Sequence, residues 1–156
     1  GSMVLKRLSH ALRLDHLYID PSAQRRGIGS SVLRQACARA EASAGELRSG
    51  MRRILVEEGV PWGVFGEASV FVVFPNPARL PIDPASFDPL KLGFAGLKGA
   101  RDPRLNNRLR VALLAHGVDI AGGPGGFVSA AHGAREIAQT LEAWRSALRA
   151  LKDELL

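Results

Sequence analysis

The chain has 156 residues, enough for one domain with a sizeable buried core. Apolar residues make up 46% and charged residues 23%, an ordinary balance for a globular protein. No uninterrupted apolar run reaches the roughly 18 residues that a membrane-spanning helix needs. Cys37 is the single cysteine, which excludes an intramolecular disulfide and a multi-cysteine metal site and fits a reducing cytoplasm. The net charge is +6, and every basic residue except Lys6, Lys91, Lys98 and Lys152 is arginine. Arg25-Arg26, Arg52-Arg53 and Arg108-Arg110 are separate pairs with no aromatic residues interleaved, so nucleic-acid binding is not expected. Gly1-Ser2-Met3 reads as a tag scar ahead of an initiator methionine.

In chain order, residues 4–14 are apolar and basic and read as a short helix or an added strand. Leu14 to Ile19 reads as a strand that Asp20-Pro21-Ser22 ends, proline interrupting the ladder and aspartate favouring a turn. A long helical pattern then starts at Gly27-Ile28-Gly29. Ile28, Val32, Ala36, Ala40, Ala44, Leu47, Met51, Ile54 and Leu55 recur at spacings of three and four, the stripe of an amphipathic helix packed on a core. Gly45 and Gly50 each cost roughly 1 kcal/mol against alanine and allow a bend. Gly59 and Pro61 end the helix.

Trp62 to Phe65 and Ser69 to Phe74 read as two strands joined at Gly66-Glu67. Val70 to Phe74 has no polar alternation, so both of its faces should be covered. Residues 75–103 hold six prolines and little periodicity and read as a long loop. A helix follows over 103–116 and stops at Gly117, with short strands expected at Val118 to Ile120 and Phe127 to Ser129. The last helix, Ala134 to Leu155, carries Ile137, Leu141, Trp144, Leu148, Leu151 and Leu155 in steps of four and three. That seam is short for a coiled coil and suits core packing or a dimer contact.

The strand at Leu14 to Ile19, Asp20-Pro21, and the run Gln24, Arg25, Arg26, Gly27, Ile28, Gly29, Ser30 resemble the core motif of GCN5-related N-acetyltransferases over residues 12–40. In that family the turn's backbone N–H groups hold the pyrophosphate of acetyl-CoA, so the resemblance makes these seven residues the candidate cofactor-binding set. The chemistry is general: glycines admit close approach, a helix N-terminus offers free donors, and arginines add charge-assisted contacts. Few residues precede the motif, and the chain beyond residue 40 does not resemble the rest of an acetyltransferase.

Other segments carry a second likeness: Ala40-Glu41-Ala42-Ser43 through Arg52, Gly59-Val60-Pro61-Trp62, Gly66 to Phe71, Leu109 to Val118, and Gly126-Phe127-Val128-Ser129-Ala130-Ala131-His132. Together they resemble the C-terminal small domain of class III pyridoxal-phosphate-dependent aminotransferases of the glutamate-1-semialdehyde type, over about 36–152. In that family the Schiff-base lysine belongs to the large domain. None of the four lysines here sits in such a context, so neither bound pyridoxal phosphate nor transamination is expected. Ser129 and His132 lie too close together, with no orienting acid, for a hydrolase triad. The histidines show no metal-ligand spacing.

The expectation is therefore a single α+β domain: a mixed or antiparallel sheet of four or five strands, packed against a long N-terminal helix and a C-terminal helix. The strand at 14–19 should join one edge of the sheet, and a twofold homodimer should cover apolar surface. The chain reads as a non-catalytic chimera, recombined or engineered, with its two pieces joined inside the long helix. The alternative is a minimal acetyl-CoA-binding or acetyltransferase protein that uses the glycine-rich turn.

Overall fold

The computed structural model describes residues 3–8, 11–17, 19–99, 102–120 and 123–151, with side chains from Ile19 onward except Gly99. Strand β1 (Met3–Leu8) pairs antiparallel with β2 (Ala11–Leu17) in a two-stranded hairpin. A single 3-10 turn at Pro21–Ala23 follows, then α1 (Ile28–Glu58), β3 (Gly63–Phe65), β4 (Val70–Phe74), α2 (Pro89–Gly99), α3 (Pro103–Ala115), β5 (Gly125–Phe127) and α4 (Ala134–Ala150). The second sheet has the order β3-β4-β5 and is antiparallel throughout.

The fold is thus α+β, as the pattern predicts, with a smaller sheet. The strand expected at 14–19 does not join its edge, because β2 finds its partner in β1; Tyr18 lies outside the described residues. Val118 to Ile120 forms no strand. That segment instead closes α3. Gly117 takes φ +80, its N–H donates to the Leu114 carbonyl, and the Val118 N–H donates to that of Leu113. Residues 152–156 of the expected last helix also lie outside the described residues.

Packing accounts for the second part of α1, from Ala40 onward. Its buried residues run from Ala40 through Ala44, Leu47, Gly50, Met51, Ile54 and Leu55. They meet Ile137, Trp144, Ala147 and Leu148 of α4 and Leu109 and Leu113 of α3 in one core. The spaced seam of α4 is therefore spent inside this chain. Gly50 fixes how near the two long helices lie: a Cβ there would meet Leu141 Cδ1 at 2.6 Å. Trp62, reached just after α1 ends, tilts against Trp144 at 6.2 Å. Each such fully buried side chain contributes about 2 kcal/mol by burial.

Polar contacts then lock the sheet to α1. Arg48 donates to the carbonyls of Ala68 and Val70, and Arg52 Nε donates to that of Val64 at 2.7 Å. Asn76 is buried and tolerates φ +48. Its amide donates to the Pro61 and Leu80 carbonyls, and its oxygen accepts from the Leu80 N–H, tying the loop after β4 to the end of α1. At that end Glu58 accepts from Arg145 and Arg149 of α4, while Glu57 also pairs with Arg145.

Two outcomes test this packing. Gly66 turns the β3–β4 hairpin at φ +144, and a Cβ there would overlap the Val70 carbonyl oxygen. Gly66→Ala should lower stability by about 3 kcal/mol, read as a lower urea midpoint at unchanged m-value. The second concerns Glu58, whose carboxyl Arg149 and then Arg145 hold below the ordinary glutamate value against the opposing effect of burial. A depressed folded-state pKa gives stability that is present above the unfolded value and lost as pH falls through the folded one. Wild type should therefore exceed Glu58→Gln in melting temperature above about pH 5 and converge with it at lower pH.

Candidate functional site

The glycine-rich turn is built from the chain upward. Asp20 accepts from the Ser22 N–H at 2.9 Å and from its hydroxyl, and these two bonds hold its carboxyl below the ordinary aspartate value. The chain then turns through Gln24, whose side-chain amide donates to the Ile19 carbonyl at 3.1 Å. Arg25 adopts φ +59, and Gly27 adopts φ +74 as the residue that starts α1. Among the described residues no side chain caps this helix, and a Cβ at Gly27 would meet nothing within 4 Å. Gln24, Arg25, Arg26, Gly27, Ile28 and Ser30 are exposed, and Gly29 is half-buried.

All seven predicted residues thus fall in one strand–turn–helix connection, at its outer surface. Among the described residues no second element encloses them: burial on α1 begins at Ala40, three turns farther on.

Ser129 and His132 come together for a structural reason. His132 Nδ1 accepts from the Ser129 N–H at 2.9 Å and sits 3.0 Å from the Ser129 hydroxyl, which places the ring proton on Nε2. The Ser43 hydroxyl donates to the His132 carbonyl at 2.9 Å, tying this turn to α1. Gly133 starts α4, and its N–H donates to Glu136 three residues on, the backbone-to-side-chain arm of a capping box. Nδ1, the ring nitrogen that the orienting carboxylate of a triad would hold, is thus spent on closing this turn.

A pyridoxal phosphate site needs a lysine amine facing an enclosed ring pocket with donors for the phosphate. Lys91 and Lys98 are exposed on α2, and the Lys98 amine lies 5.0 Å over the Phe94 ring. Neither fits that role. Among the described residues no group of three or more His, Cys, Asp or Glu side chains is placed to hold a metal, and no helix is long and apolar enough to cross a membrane. Several arginines from the sequence pairs are engaged within the chain: Arg52 with Val64, Arg53 with Glu57, and Arg110 with Asp119.

The sequence pattern missed two features of the outer sheet surface. One is α2, whose start is signalled by Asp88-Pro89, with Asp88 accepting from the Leu90 N–H. The other is the space beneath it, which no spacing announces.

No family model matches the chain, and no curated protein matches it. Solved structures do. An omega-transaminase from Sphaerobacter thermophilus is similar at 22% identity and a TM-score of 0.59, over 84% of this chain and 26% of that one. A transaminase with PLP bound is similar at 28% identity and a TM-score of 0.60, over 83% and 27%. The PLP internal aldimine form of the FumI protein of Sphingopyxis sp. MTA144 is similar at 21% and 0.56, over 80% and 25%. The chain spans about a quarter of the length of these proteins. The likeness agrees with the aminotransferase small-domain resemblance of residues 36–152, and the comparisons give no support to the acetyltransferase resemblance of residues 12–40.

Proposed function

We propose that this chain is a non-catalytic module with the fold of a class III aminotransferase small domain, which does not transaminate by itself. The supporting observation is the pairing of that fold with lysines unsuited to imine chemistry: Lys91 and Lys98 both project from the exposed surface of α2. Imine formation requires an amine held against the cofactor ring inside a water-excluding cradle. The structural neighbours carry such chemistry on chains about four times the length of the matched part. Large apolar side chains stand exposed at Leu90, Val111, Leu114 and Phe127, which supports self-association as a twofold dimer.

A second reading has one observation in its favour. The uncapped first turn of α1 beside Arg25 and Arg26 suits the pyrophosphate of a CoA ester, with Gln24, Gly27, Ile28, Gly29 and Ser30 supplying the surrounding backbone. On this reading the chain is a chimera whose acetyltransferase-like piece keeps a ligand contact without the enclosing fold that acetyl transfer needs.

A side-by-side titration separates the two readings. With pyridoxal phosphate, the chain should show no imine absorbance and no lysine modified after borohydride reduction. A reducible imine that maps to Lys6, Lys91, Lys98 or Lys152 would contradict the first reading. With acetyl-CoA, a rise in melting temperature that Gly29→Glu removes would establish the second, and a flat response to about 1 mM ligand eliminates it.

A further inference from the structure

The loop after β4 is folded around one buried side chain. Asn76 donates to the Pro61 and Leu80 carbonyls and accepts from the Leu80 N–H, and its own carbonyl accepts from the Arg79 N–H at 3.0 Å. The closed loop holds Arg79 at φ +50, a left-handed conformation that costs energy for any residue except glycine. Backbone strain of this kind persists only where the surroundings enforce it, and it collects at ligand-binding segments. Here it fixes the point from which the Arg79 side chain leaves the chain.

Arg79 lines a cleft of about 370 Å³, within the range of small-molecule sites, together with Asp102, Arg104 and Arg108 from the start of α3. The charges in this cleft are unbalanced. Arg104 stands in the first turn of α3, where the helix dipole disfavours a cation. Arg108 follows four residues later on the same helix face and adds a like charge, although it also interacts elsewhere in the chain. Among the described residues neither the Arg79 nor the Arg104 side chain has a hydrogen bond or ion pair. Asp102 is the one acid in the lining, and its Oδ1 accepts from the Arg104 and Leu105 N–H groups. The first-turn donors of α3 are therefore taken, and the arginines are the groups left to hold an anion.

We propose that this cleft binds a small phosphate monoester. The phosphate dianion accepts from the guanidinium groups of Arg79 and Arg104, whose forks match phosphate oxygens in pairs. A flat apolar body lies against Pro75, Pro77 and Leu105, which line the same cleft. The site is separate from the glycine-rich turn, and no lysine lines it, so it is independent of imine chemistry.

Phenyl phosphate is the probe. Inorganic phosphate lacks the apolar body, and benzenesulfonate keeps the ring and three oxygens but carries a single charge. Calorimetric titration of the full chain at about pH 8, with ionic strength held constant by sodium chloride, should give a Kd for phenyl phosphate below about 1 mM. Inorganic phosphate should bind about threefold more weakly and benzenesulfonate about tenfold more weakly. Joint Arg79→Gln and Arg104→Gln substitution, at two exposed positions, should abolish binding with circular dichroism unchanged. Asp102→Asn keeps a good helix cap and removes the negative charge, so it should tighten phenyl phosphate binding about threefold. Gly29→Glu should leave the affinity unaltered. Absence of binding at about 1 mM, equal affinity for either control ligand, or undiminished binding by the folded double variant would each overturn the proposal. So would unchanged or weaker binding by Asp102→Asn, or loss of binding in Gly29→Glu.

Discussion

Two long helices cross so closely that one of them must present a residue without a side chain. At Gly50 of α1 the space that a Cβ would take is filled by Leu141 of α4. Ala44 on α1 and Ala143 and Ala147 on α4 are fully buried, and such small residues allow the same near approach along the contact. The close crossing puts Trp144 within 6.2 Å of Trp62, so that the end of α1 and the start of the sheet share one core with α4. The carboxylates of Glu57 and Glu58 fasten the same end to Arg145 and Arg149. With α4 fixed, α1 offers its other polar side to the sheet, where Arg48 and Arg52 take up carbonyls of the β3–β4 hairpin. Surface ion pairs alone contribute little; the apolar crossing supplies most of the energy, and the arginines orient what it holds.

That core does not use the whole helix. Thirty-one residues of α1 extend about 46 Å, but burial begins only at Ala40. Ile28 and Leu33 remain exposed, and Val32 and Ala36 are half-buried. The change falls where the two sequence resemblances overlap, at residues 36–40. The apolar stripe keeps its phase from Ile28 to Leu55, yet continuity of phase did not bring continuous burial. A helix can be regular in pattern along a stretch that is only partly buried, because the pattern specifies a face and cannot supply the partner.

The helices were legible for the reason helices usually are: period, proline and glycine coincide. Asp102 accepts from the N–H groups of Arg104 and Leu105 with Pro103 in the first turn, and Gly59 and Gly117 end α1 and α3 with positive φ. The sheet was less legible because its strands depend on glycines that read as loop. Gly125 lies so near Phe71 that a Cβ would come within 2.5 Å of its carbonyl oxygen, so β5 exists only because glycine stands there. Helix α2 was hidden for a similar reason, its apolar run being interrupted by Gly93 and Gly96. The two-sided apolar reading of β4 did hold in substance, with core on one face and Phe87 with α2 on the other. The glycine-rich turn was found from the sequence, whereas the cleft of Arg79 and Arg104 had no local signal, its lining coming from three segments distant in the chain.

The core of this aminotransferase-like fold begins near Ala40 of α1, and the first turns of that helix contribute no buried residue to it. Hydrogen exchange along α1 tests this most directly. Amides from about Ala44 to Leu55 should exchange only through global unfolding, with protection falling steadily from Ala40 back toward Ile28. Uniform protection across Ile28 to Glu58 would contradict it, since the first third of the helix would then belong to the same cooperative core.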